Sequence, residues 1–260
     1  SYESVVKEIA DGIDEVAIYI FDLYQYGSGD VGFYAIEGEA FPQIKASSYE
    51  RDPLGRIVVD GESGIPVKGD PKELGKTTPD YILGLTSLFR WKTLSLSATI
   101  DYRTGHVFYD FGDDVNLYTG RSPITTIFNR EDFIVPNSVI ETSPGVFEEN
   151  TEVSLTNNPF YWWDQYGSIR ENYIKDATSF KVRELALNYE IPQRYLSHTG
   201  IHRLQLGIIA RNYITYFPGD NTFSDPEFQN QTVSENAIGI GGYYQSPPTR
   251  SLGFNINIEF

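Results

Sequence analysis

The sequence contains no cysteine and no methionine. Without cysteine there is no disulfide, no thiolate metal site and no cysteine nucleophile. No apolar run reaches the ~18 residues of a transmembrane helix, which leaves a β-barrel open because barrel strands are short and only half apolar. Cations are scarce: 20 Lys and Arg stand against 36 Asp and Glu, for a net charge of −16. A phosphate-tracking surface needs clustered cations, so this balance argues against nucleic acid as a partner. The chain opens at Ser1 with neither an initiator Met nor a signal peptide and is expected to be a mature piece or a fragment.

Aromatics are abundant, with 19 Tyr, 16 Phe and 3 Trp. Such a load suits the interface girdles of a membrane barrel and is shared by sugar-binding β proteins. Alternation is the other strong signal. Between Thr249 and Phe260, the residues Leu252, Phe254, Ile256, Ile258 and Phe260 fall on one face, opposite Ser251, Gly253, Asn255, Asn257 and Glu259. The same period recurs over 92–103, 184–191 and 204–213, and over the stretch from Tyr81 to Trp91, with a tight hairpin expected near Lys92. Pro192 ends one of these strands, since proline cannot donate to a ladder. Weaker strands are expected near Val16 to Tyr24 and Phe33 to Ala46, making about seven in all.

The predicted connections are lopsided. Those near Gly27 to Asp30, at Lys92 and from Pro192 to Gly200 are short, whereas 49–79, 105–178 and 215–248 are long. With strands alternating up and down, the long loops gather at one end and the C-terminus at the other, as in outer-membrane barrels. Charge follows the loops: 105–178 holds 12 acidic and 4 basic residues, and 215–248 holds 4 acidic and none basic. An all-β fold follows, either antiparallel strands of a transmembrane barrel or a soluble or surface-attached, carbohydrate-binding β-sandwich. Long loops and segregated charge favour the barrel.

Asp176 to Pro192 reads DATSFKVRELALNYEIP, which resembles a segment of the C-terminal barrel of SusC/RagA-type TonB-dependent transporters of Bacteroidota. The resemblance continues in Arg211-Asn212-Tyr213, in Ser224-Asp225-Pro226-Glu227 and in Pro247 to Phe254. Upstream, Ala10 to Glu15, Glu37 to Ala40, Arg51 to Val58 and Pro79 to Leu85 fit in the expected order. Thr104-Gly105 and Tyr213 depart from the family's usual Gly-Gly and Leu. The resemblance implies that residues 1–260 are a C-terminal barrel segment, with the plug domain and the earlier strands of a roughly 22-stranded barrel lying outside this chain. It also implies an importer of a bulky nutrient, glycan or peptide, in the cell outer membrane. Implied partners are the remainder of the barrel and plug, a SusD-like lipoprotein lid, the TonB complex through the plug, and outer-membrane lipid. A passive porin, lacking plug and lid, is the remaining alternative.

No catalytic constellation emerges, and neither enzymatic activity nor a cofactor is expected. A nucleophile elbow is missing, and Gly239-Ile240-Gly241-Gly242 lacks the strand-to-helix setting of a phosphate loop. His198 and His202 flank Gly200 in a turn, a poor zinc pair. Asp110, Asp113 and Asp114, and likewise Asp220, Asp225 and Glu227, would offer hard oxygen ligands to calcium, but without full loop spacing they are expected to be solvated acidic loops and no metal site is assigned. Phe160, Tyr161, Trp162, Trp163 and Tyr166 are the candidate contacts to substrate or lid, against the plainer alternative of a loop-anchoring cluster. In the barrel reading, Phe254, Ile256, Ile258 and Phe260 form a barrel-assembly signal, against the alternative of plain lipid-facing residues.

Overall fold

The computed structural model describes residues 5–21, 30–221, 224–227, 238–242 and 249–260. The turn at 27–29, the far end of the strand expected to reach Tyr24, and Pro247-Pro248 lie outside the described residues. Along the chain run β1 (Glu15–Phe21), β2 (Val31–Ile36), β3 (Gln43–Tyr49), β4 (Ile57–Val59), β5 (Lys68–Lys76), β6 (Tyr81–Trp91), β7 (Leu94–Thr104) and β8 (Val107–Asp110). Helix α1 (Phe111–Tyr118) follows, then β9 (Ser138–Ser143), β10 (Val146–Glu149), β11 (Ile174–Asp176), β12 (Ser179–Glu190), β13 (Arg203–Tyr216), β14 (Ile240–Gly241) and β15 (Ser251–Glu259).

The five longest alternating stretches form one antiparallel sheet in the order β15-β13-β12-β7-β6. Their lengths, 9 to 14 residues, meet the ~9–11 that a tilted strand needs to cross a bilayer. The connection between β6 and β7 is two residues long, with Lys92 at φ 54°. In register, Phe89, Leu96, Leu187, Ile208 and Phe254 line up across the whole sheet. Trp91, Leu94, Tyr189, Leu206 and Ile256 form the row toward the short turns, and Leu83, Tyr102, Phe180 and Tyr216 the row toward the long loops. Aromatics thus concentrate at both margins of an aliphatic band. From Tyr102 to Leu94 is roughly 26 Å along the strand, or roughly 20 Å once tilted by ~40°, close to the ~25 Å apolar band of membrane barrels.

The opposite face is polar, with Thr86, Thr99, Glu184, Arg211 and Ser251 in one row. Gly207 sits on that face between Asn188 and Asn255, whose carboxamide oxygens occupy the space a Cβ would take. Close approach, not backbone angle, therefore favours glycine, since an added Cβ would have to displace both carboxamides.

Apart from the 191–202 connection, the rest of the described chain gathers at the long-loop end. The weaker strands expected near Val16 and Phe33 pair outside the wall, with β5 from an expected loop, as the sheet β1-β2-β3-β5, and the other expected loops are folded too, into two three-stranded sheets, β10-β9-β4 and β11-β8-β14. Their apolar residues share one core that includes Phe33, Ile44, Tyr109, Leu117, Tyr173 and Ile240. The segment Phe33 to Ala46, expected as one strand, is two strands joined by a turn in which Gly38 takes φ 85°. That turn needs a left-handed residue, and glycine supplies it.

Candidate functional site

The strand expected over 184–191 begins five residues earlier, at Ser179, because a bulge interrupts its alternation. Against β7, Val182 and Glu184 pair with the consecutive Ile100 and Thr99, so Arg183 is an extra residue, whereas against β13 they pair with Ile214 and Arg211 and the surplus residue lies on β13, where Asn212 takes φ 52°. Bulges re-aim side chains. Phe180 and Val182 continue the outward apolar rows, while Lys181 and Arg183 turn to the polar face, near the long-loop end.

There the two family-like motifs meet. Lys181 Nζ donates to Asp225 Oδ1 and Oδ2 at 2.6 Å and to Glu227 Oε2 at 2.5 Å, and it also lies 5.5 Å from the centroid of the Phe217 ring. Arg183 binds Glu227 Oε1 closely and Asp101 at 3.2 Å. Arg103 joins Glu227 at 2.9 Å and Asp101 at 3.2 Å. Lys181 and Asp225 keep only 2% and 1% of their side-chain exposure. Burial alone would raise the Glu227 carboxyl, but hydrogen bonds from Arg183 and Lys181 outweigh it and hold it at about 2. Three wall cations therefore pin the segment that follows β13 against the inner face of the sheet. Sequence reasoning missed this clamp, because its halves are 44 residues apart.

The acidic residues weighed as calcium ligands are otherwise engaged, and several are buried where solvated loops were expected. Asp225 and Glu227 belong to the clamp, while Asp220 accepts a bond from the backbone N–H of Asp176 at 3.4 Å. Asp110 Oδ1 caps α1 by accepting from the Asp113 N–H at 3.1 Å, and it also accepts from the Ser224 hydroxyl at 2.5 Å. Asp114 takes Arg170 at 2.9 Å, and Asp113 takes Lys175 at 3.3 Å. Burial pushes both the Asp110 and Asp114 carboxyls up, against the opposing hydrogen bond from Ser224 and the charge of Arg170 respectively. These aspartates are cap-building groups. His106 is also buried, which lowers its pKa to about 4 despite the nearby Asp176 carboxylate.

The aromatic run divides in two. Tyr161 to Tyr166 coil into a short π-helix that turns Tyr161 and Trp162 into the shared core, with Tyr166 packed against it. Trp162 and Tyr166 pack with ring centroids 5.1 Å apart and planes tilted by 59°, and the indole N–H of Trp162 donates to Asn157 Oδ1 at 2.8 Å. Phe160 and Trp163 point outward, 62% and 51% exposed. Only these two of the five remain free to touch a large partner by exposure alone. At the other end of the molecule, Phe254, Ile256, Ile258 and Phe260 are all exposed along the last strand.

No family model matches the chain. It is 24% identical over 242 residues to a TonB-dependent receptor P3 of Formosa agariphila, a match covering 90% of this chain and 22% of that protein. Among solved structures it resembles the RagAB peptide transporter, with a TM-score of 0.56 at 14% identity over 98% of this chain and 25% of that one. The RagAB peptide importer in its open-open state gives a TM-score of 0.58 at 15% identity, again over 98% and 25%. This chain thus spans about a quarter or less of the length of these proteins.

An outward apolar band with aromatic margins and a polar inner face define part of the wall of an outer-membrane β-barrel. More particularly, the fold is that of a segment of a SusC/RagA-type TonB-dependent barrel, as the sequence motifs implied. The sheet is open rather than closed, as befits a portion of a larger barrel. No second sheet covers its apolar face among the described residues, unlike a soluble sandwich.

Proposed function

We propose that the chain serves a TonB-dependent outer-membrane importer of a bulky nutrient, glycan or peptide, working with a SusD-like lipoprotein lid and without enzymatic activity of its own. In this reading residues 1–260 are the C-terminal barrel segment, and the plug, the TonB contact and the remaining strands belong to the rest of the protein. The observation that carries the reading is the two-faced sheet joined at its long-loop end to a folded cap. A passive porin needs wall and loops but gains nothing from so large a packed cap on one side. Phe160 and Trp163 are the proposed outward contacts to substrate or lid, and Tyr161, Trp162 and Tyr166 support them from within. Phe254, Ile256, Ile258 and Phe260 are proposed as the assembly signal, and deletion of Phe260 is expected to lower the amount of protein reaching the outer membrane.

The test is purification of the native assembly from outer membranes in detergent, with every co-purifying chain identified by mass spectrometry. A plug-bearing polypeptide containing this sequence, together with a surface lipoprotein, is the expected result. A protein that stays soluble without detergent would overturn the reading.

A further inference from the structure

In the cap, Thr119, Arg130, Asn158, Trp162 and Trp163 help to line a cleft of about 260 Å³. One wall is aromatic. Trp163 presents a half-exposed ring that leans on Tyr118 at 6.0 Å and 41°, while Trp162 is fixed beneath by its bond to Asn157. The other wall carries Arg130. Of the four cations between residues 105 and 178, Arg170 and Lys175 are neutralised by Asp114 and Asp113. Arg130 has no carboxylate at ion-pair distance among the described residues, and no Asp or Glu lines the cleft. Its backbone lies in the left-handed region at φ 63°, directly after Phe128 at 51° and Asn129 at 55°. Three successive left-handed residues are rare for L-amino acids, and such conformations cluster at binding sites.

We propose that this cleft binds a carboxylate borne beside a flat or aliphatic face. The guanidinium of Arg130 takes the carboxylate as a bidentate pair, and the Trp163 ring covers the adjoining face. Asn158 adds an amide at the rim. A cleft smaller than the ~300–1,000 Å³ of drug-sized sites accommodates one residue of a polymer, not an oligomer. With a net charge of −16 this chain repels anions, so selectivity for an anion here belongs to the local guanidinium. A uronate unit of a glycan and the C-terminal residue of a peptide share this chemistry. The inference rests on the importer reading for its biological purpose, and its chemistry stands separately.

The full-length protein in detergent is titrated calorimetrically with glucuronate and with N-acetyl-dialanine, each against its neutral match, glucose and N-acetyl-dialanine amide. At least one carboxylate probe is expected to bind about tenfold or more tightly than its neutral match. Arg130→Gln removes that preference, Arg130→Lys restores part of it, and Trp163→Ala weakens the probe that binds. Arg130 and Trp163 are exposed, so the variants are expected to melt as the parent protein does. Tighter binding of glucuronate identifies a glycan unit, and tighter binding of the dipeptide a peptide terminus. No binding, equal binding of charged and neutral probes, or a preference surviving Arg130→Gln overturns the proposal. Failure of the importer reading shows elsewhere, as unchanged nutrient uptake when the whole gene is deleted.

Discussion

Replacing Lys181 with Met keeps most of the side-chain volume and removes the ammonium that Asp225 and Glu227 share. Breaking a buried ion pair from one side costs about 3–5 kcal/mol, because the remaining charge stays desolvated. Glu227 keeps Arg183 and Arg103, so the loss falls on Asp225 and the lower figure applies. Strand β12 retains both neighbours, β7 and β13, so the wall itself should persist and the cost should appear as undocking of 224–227. About 3 kcal/mol is somewhat more than a hundredfold change in the docked-to-undocked ratio. Hydrogen–deuterium exchange in detergent should therefore show backbone protection at 224–227 falling by roughly that factor, with β12 and β13 unchanged. Acid supplies a second axis. A depressed carboxylate contributes docking fully above its ordinary pKa and loses that contribution as pH falls through its folded value. For Glu227 the window runs from the ordinary 4.5 down to about 2, so the native segment stays docked at pH 5 and releases below it. In Lys181→Met the carboxylates lose a cation, and release should move to higher pH. Exchange at 224–227 within twofold of the native protein, together with an unshifted acid profile, would refute the clamp.

Leu187 lies mid-band on the outward face, where an arginine costs a barrel about 2–4 kcal/mol. Leu187→Arg should lower the unfolding free energy in lipid by that amount, whereas Thr99→Arg on the inner face should change it far less. Gly207→Ala would push a methyl against the Asn188 and Asn255 carboxamides, which must swing aside, so the cost should fall at the low end of the about 1–3 kcal/mol of overpacking and show as a small drop in melting temperature in detergent. Trp162→Ala empties a 4%-exposed core position and should cost about 3–5 kcal/mol, while the neighbouring Trp163→Ala should leave the melt nearly unmoved. Equal effects of the two tryptophan substitutions would contradict the division of the aromatic run into core and surface.

The wall was legible in the sequence wherever the period of two ran unbroken. The stretch from Ser251 to Glu259 alternates without interruption, and it is a strand with the expected two faces. At Arg183 the added residue shifts the phase, so Phe180 and Val182 fall out of step with Leu185 and Leu187 and the start of β12 was hidden. The loss was local, because the phase resumes after a single residue. The aromatic run illustrates a different limit. Composition marks Phe160 to Tyr166 as important, yet burial depends on how tightly the chain coils there, and the π-helix decides that Trp162 goes in while Trp163 goes out.

The cap was not legible because its core has no period. Phe33, Ile44, Val59, Tyr109, Leu155 and Ile240 come from six separate places and meet only through long-range closure. Physically this follows from the two environments the chain serves. The outward rows of the wall can lose contact with water into lipid, so they need no partner within the chain and remain exposed in its absence. Beyond the bilayer no lipid is available, and the long connections must bury their own apolar groups against one another. Lys181, Arg183 and Arg103 lie where these regimes meet, on wall strands but facing inward, and they grip the carboxylates of a cap segment. A charged junction suits that position, since neither half's apolar surface extends across it. An ionic join that releases as a unit would let the segment after β13 leave the wall without unfolding either the sheet or the cap core.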